Sequence, residues 1–100
     1  MNVTFELGEY KFEWDSDKAA KNFKKHKVLF KVAARVFLDD FKIDEFDYFH
    51  SDDEDRFKVI GKVDNILVVI YTEREDRHRI ISARLATKNE QEDYYAQFNY

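Results

Sequence analysis

Apolar and polar residues alternate with two different periods along this chain. Val3, Phe5 and Leu7 alternate with Thr4 and Glu6, and Tyr10, Phe12 and Trp14 alternate with Lys11 and Glu13. A period of two predicts two strands, joined at Gly8-Glu9. The alternation stops at Asp15. Asp15 or Ser16 can accept from the orphan amides of a first helical turn, so a helix is predicted to about His26. Ala19 and Phe23 form its narrow apolar stripe, with Lys18, Asn22, Lys25 and His26 on another side. Phe30, Ala33, Ala34 and Phe37 predict a second helix over 30–38. Residues 41–47 read as a thin edge strand and 50–55 as a polar loop. Phe57–Lys62, Ile66–Tyr71 and Arg79–Leu85 follow as strands, turning at Asp64-Asn65 and at Glu75-Asp76. Ile66–Tyr71 is apolar on both faces, which marks it as central. Thr87 and Glu90 have the spacing of a capping box and open a last helix, 88–98. The order predicts an α+β fold, a mostly antiparallel sheet with two N-terminal helices and one C-terminal helix, in a single domain spanning 1–100.

Composition narrows the function. The chain has no cysteine and no proline, and only two glycines. Disulfides, zinc fingers, thiol chemistry and glycine-rich phosphate loops are therefore excluded. The longest apolar run, Ile66–Ile70, is too short to cross a membrane, and no signal-peptide pattern opens the chain, so a cytoplasmic protein is expected. Net charge is -4, but it is unevenly spread. Residues 39–55 hold nine carboxylates and one lysine; residues 18–31 hold six lysines and no carboxylate. Four arginines and a lysine lie between Arg74 and Lys88. Two basic segments could meet phosphates while the acidic one faces elsewhere.

The three histidines show no close metal-ligand spacing, so no metal and no cofactor are expected. His26 reads either as a cation at a helix C-terminus or as a phosphate contact. His50 reads either as a solvated loop residue or as a proton-transfer group, with Glu54 as a base or as a partner for an arginine. Arg56, Arg74, Arg77, Arg79 and Arg84 carry planar donor forks that fit phosphate, or else pair with carboxylates. Arg79 and Arg84 differ by five. A regular strand would point them to opposite faces, Arg84 with His78 and Arg79 with Arg77, unless it twists or bulges.

Phe12-Glu13-Trp14-Asp15, Lys18-Ala19, Asn22 and Lys25-His26, followed by Val28 and Phe30, resemble the opening of the BrnT family, the toxins of type II toxin–antitoxin systems. His50-Ser51 with Glu54 and Arg56, then Ile60-Gly61, Val68-Val69, Thr72 and Arg74, continue the resemblance, and Arg79–Arg84 (RIISAR) with Ala86, Glu90 and Tyr94 is its strongest part. The resemblance implies a RelE-like fold and a ribonuclease that arrests translation. It also implies neutralisation by a BrnA-type antitoxin, which carries the DNA-binding part; DNA is reached only through that partner. On this basis Arg79, Arg84, His50 and Glu54 are the candidate catalytic residues, and Lys25, His26, Arg56 and Arg74 the candidate RNA phosphate contacts. The expected reaction is attack by the RNA 2′-hydroxyl without a metal. The sequence departs from the family pattern at Lys27, where glycine is usual, at Val32, and in its net negative charge. The alternative is a non-catalytic interaction module, an inactive relative that binds an antitoxin-like partner and uses its arginines as salt-bridge scaffold.

Overall fold

The structure, a computed structural model, describes residues 1–99. Its fold is α+β, with one six-stranded mixed sheet and three helices. β1 (Asn2–Leu7) and β2 (Tyr10–Asp15) form a hairpin around Gly8, whose φ of 61° is readily reached without a Cβ. Asp15 then caps α1 (Ser16–His26) by accepting from the Lys18 amide at 3.1 Å. α1 ends on Lys27 in the left-handed conformation, φ 60°, at the place where the family pattern has glycine.

The predicted second helix is α-helical only over α2 (Phe30–Ala33); Ala34–Leu38 tighten into a 3-10 helix. In that geometry residues three apart eclipse. Ala33 with Val36 and Ala34 with Phe37 thus turn inward together, and all four are buried. β3 (Ile43–Phe46) is the predicted thin edge strand, followed by a 3-10 turn at Tyr48–His50. β4 (Arg56–Val63), β5 (Asn65–Arg74) and β6 (Arg77–Leu85) form the predicted antiparallel run, turning at Asp64 and Glu75, both with positive φ. α3 (Lys88–Ala96) carries the capping box and stops two residues short of the predicted end.

The strand order is β1-β2-β6-β5-β4-β3. β2 joins β6 in the sheet's one parallel pairing, Phe12 opposite His78 and Glu13 opposite Arg79. Nothing in the periodicity foretold where the N-terminal hairpin would attach. Beyond Arg79 the edge of β6 is taken over by α1. The Asn22 side-chain amide donates to the Ala83 carbonyl at 2.9 Å and accepts from the Ala83 amide at 3.1 Å, as a neighbouring strand would. Asn22 lies on the same side of α1 as Lys18, Lys25 and His26, as expected, but its side chain is buried against β6.

One face of the sheet packs under α1, α2 and the 3-10 helix, burying Phe12, Trp14, Phe30, Phe37, Tyr71 and Ile80 among others. Burial of each such side chain contributes about 1.5–3 kcal/mol. Gly61 lets the 3-10 helix lie directly on β4: a Cβ there would sit 2.9 Å from Val36 Cβ and 3.0 Å from its carbonyl oxygen. Gly61→Ala is expected to lower stability by about 1–3 kcal/mol, read as a shifted urea midpoint at constant slope.

His78 belongs to this face too. Its ring stacks on Phe37 at 5.0 Å and meets Tyr71 edge-on at 5.1 Å, and its Nδ1 is buried without a partner. Burial pushes its pKa below the usual 6.5, against the opposing pull of Glu73 and Asp44. Between that lowered value and 6.5 the unfolded chain binds the extra proton. The stability contributed by neutral His78 is complete above pH 6.5 and is lost as pH falls through its folded value. Denaturant titrations at pH 7, 6 and 5 should show this decline, and His78→Phe should remove it.

Candidate active site

The other face of the sheet is only partly covered. α3 lies over Ile60, Ile66 and Val68, with Ala86 and Tyr94 completing that small cluster. The rest of this face is polar, and its composition is set by one irregularity. Ile70 pairs with Ser82 but Tyr71 pairs with Ile80, so Ile81 is an extra residue in β6. The bulge resets the alternation. Ile80 and Ala83, three apart, both enter the helix-covered core. Arg79 and Arg84, which a regular strand would oppose, come to the same open face. His78 is separated from Arg84, contrary to their shared parity.

The pairing register then arranges the site. Glu13, Arg79, Thr72 and Arg56 form one row across β2, β6, β5 and β4. Ser82, Ile70 and Lys58 form a second row, and Arg84, Val68 and Ile60 a third. Arg79 and Arg56 are two strands apart, roughly 10 Å at the backbone, a gap that guanidinium side chains can close above Thr72.

All but one of these cations are held by carboxylates. Arg79 Nη1 bonds Glu13 at 2.5 Å and Asn2 at 3.0 Å. Among the described residues its other guanidinium nitrogens make no hydrogen bond. Arg84 grips Glu90 with two bonds, 2.7 and 3.0 Å, and Lys58 reaches the same carboxylate at 2.7 Å. Arg84 first, then Lys58 and the Thr87 amide, hold the Glu90 carboxyl well below the usual carboxylate range despite its burial. Arg74 pairs with Glu54 at 3.1 Å. Arg56 differs: its Nε is buried with no partner.

The loop before β4 folds back onto Arg56. Ser51 Oγ accepts from the Arg56 amide at 2.9 Å and donates to the Asp47 carbonyl at 2.6 Å. This knot presents His50, whose Nδ1 lies 2.8 Å from the buried Asp47 carboxylate while most of the ring is exposed. The contact orients the ring through Nδ1, and Nε2 has no hydrogen-bond partner among the described residues. An imidazole held in this way can exchange a proton with a substrate hydroxyl.

Lys25 and His26 stand apart from the arginine rows, across the flank of β6. With Lys18, Lys21, Ile81 and Ser82 they line a hollow of about 270 Å³ that holds no carboxylate. The structure thus brings Arg56, Arg79 and Arg84 onto one face, puts Glu54 with Arg74 at its end, and sets Lys25 and His26 along its margin. Sequence reasoning passed over Asp47, Glu13 and Lys58. Asp47 sits three residues before His50, and that spacing was the available signal; the partners of Arg79 and Arg84 required the register and the bulge. Among the described residues no three His, Cys, Asp or Glu side chains gather as a metal site would need.

One open sheet face thus carries three guanidiniums, Arg56, Arg79 and Arg84, and the loop before β4 carries a histidine anchored on a carboxylate. Residues 14–90 match the family model described as the ribonuclease toxin BrnT of type II toxin–antitoxin systems. The chain belongs to that family. It is also similar to the crystal structure of the Brucella abortus ribonuclease toxin BrnT, at 25% identity and a TM-score of 0.57, covering 75% of this chain and 94% of that one. No curated protein sequence matches it. Membership of a toxin–antitoxin family implies an antitoxin partner. No helix among the described residues is long and apolar enough to cross a membrane.

Glu90 links the site to the fold, since it caps α3 and pairs with two cations. Glu90→Gln is expected to cost about 2–3 kcal/mol at pH 7, because Arg84 and Lys58 lose their counter-charge. The native carboxylate has a lowered pKa, so its contribution is complete above the unfolded value near 4.5 and is lost as pH falls through the folded value. Thermal unfolding between pH 5 and 3 should be steeper in pH for the native chain than for the Gln variant.

Proposed function

We propose that this chain is an endoribonuclease toxin with a RelE-like fold, forming a single domain over residues 1–100. It cleaves RNA without a metal and thereby arrests translation in the cytoplasm. The observation that carries this reading is the bulge at Ile81, which aligns Arg79 and Arg84 on the open face with Arg56. The RNA 2′-oxygen attacks the adjacent phosphorus as its proton passes to a base, and the bond from phosphorus to the 5′-oxygen breaks as that oxygen gains a proton. The products are a 2′,3′-cyclic phosphate, or the 3′-phosphate formed from it, and a 5′-hydroxyl. His50 Nε2, fixed by Asp47, suits the first proton transfer, and Glu54 is the second proton-transfer group. Arg79 and Arg84 stabilise the charge that builds on phosphorus. Arg56, Arg74, Lys25 and His26 hold neighbouring phosphates. A BrnA-type antitoxin neutralises the toxin and brings DNA binding to the pair.

A second reading has its own support. Arg74, Arg79 and Arg84 each have a carboxylate partner, as a non-catalytic interaction module would require. Chelator-treated RNA cleavage assays separate the two. Arg79→Ala, Arg84→Ala, His50→Ala and Glu54→Ala are expected to lose about 10²–10³ in rate while retaining the circular dichroism of the fold. Full activity in all four would overturn the site, and activity that requires added magnesium would overturn the metal-free step. Absence of cleavage, with harmless expression in cells, would leave the interaction module.

A further inference from the structure

α1 divides two unlike surfaces. One flank carries Lys18, Lys21, Lys25 and His26 toward Ser82 and the open face of the sheet. The opposite flank is apolar. Trp14, Ala19, Ala20, Phe23, Leu29 and Phe30 line a hollow of about 410 Å³, which the two alanines keep open. Phe23 and Leu29 also border a second hollow of about 250 Å³, formed with Val28, Val32, Leu67 and Leu85. Phe23, Leu29, Val32 and Leu85 are 39, 53, 38 and 56% exposed, so a continuous apolar patch lies bare on a small protein. Its rim is mixed at one end and cationic at the other: Asp64 borders the second hollow, and no carboxylate borders the first. Lys31 borders the first hollow and Lys27 the second.

We propose that this patch is where the antitoxin docks, and that the docked segment is amphipathic and acidic. The inference rests on the toxin–antitoxin reading above and adds the surface and the chemistry of the segment. Two adjoining apolar hollows accept two bulky side chains from one face of a helix or extended segment, with Phe23 and Leu29 between them. The lysine rim attracts carboxylates on the flanks of that segment. RNA fits poorly here, because its charge would lie over apolar side chains, while the polar face beyond α1 offers guanidiniums. Docking on this flank leaves the arginine rows uncovered, so the patch provides affinity separately from any blocking of the site.

The test measures binding of the chain's own antitoxin, the protein encoded beside it, to the full-length toxin by calorimetry. Leu29→Asp/Val32→Asp alters exposed positions and is expected to weaken binding about 100-fold, with RNA cleavage and thermal midpoint unchanged. Lys27→Glu/Lys31→Glu is expected to weaken it about 10-fold and to reduce its dependence on salt. Antitoxin affinity within threefold of the native value in both variants would overturn the proposal. So would a loss of RNA binding, rather than antitoxin binding, in the Leu29/Val32 variant. If the native chain binds no antitoxin, the toxin–antitoxin reading itself fails and the docking surface falls with it.

Discussion

The architecture depends on the amide of Asn22. β2 accompanies β6 for only two residue pairs before the chain turns into α1. From there the backbone of β6 needs another partner, since a buried unpaired amide or carbonyl costs about 1–3 kcal/mol. Asn22 supplies both a donor and an acceptor to Ala83, and its amide also donates to the Val28 carbonyl at 3.2 Å. One side chain therefore fixes the position of α1, the connection into α2, and the edge of the strand that carries Arg79 and Arg84. The bulge at Ile81 lies two residues before Ala83, so the irregular part of β6 is anchored by a rigid helix.

Regular periodicity made most of the fold legible. The alternation through Phe12, the doubly apolar Ile66–Ile70 and the Thr87–Glu90 box each specify local structure by themselves, and their elements stand where they were expected. Three features were not legible, for one common reason. The parallel contact of Phe12 with His78, the burial of Asn22 and the bulge at Ile81 are choices made between distant segments. The bulge mattered most for the candidate site, because parity alone separates Arg79 from Arg84. The resemblance carried by RIISAR identified the family but gives no account of how those arginines come to share a face.

The acidic stretch 39–55 shows how charge can mislead when counted along a chain. Asp39 accepts from the Tyr94 hydroxyl and from the amides of Lys62 and Phe41, which together hold its pKa down against burial. Asp44 accepts from the buried Tyr71 hydroxyl, whose pKa is driven up chiefly by its burial. Asp47 orients His50. Three of the nine carboxylates thus tie the sheet edge and the loop before β4 to the rest of the molecule.

The parallel seam also sets an order of assembly. Glu13 and Arg79 are 66 positions apart, and Glu90 must be present before Arg84 and Lys58 are neutralised. During synthesis the Glu13–Arg79 pair waits for β6, and the Glu90 pairs with Arg84 and Lys58 wait for α3. A chain cut short before α3 would therefore keep Arg84 and Lys58 but leave them without their shared carboxylate.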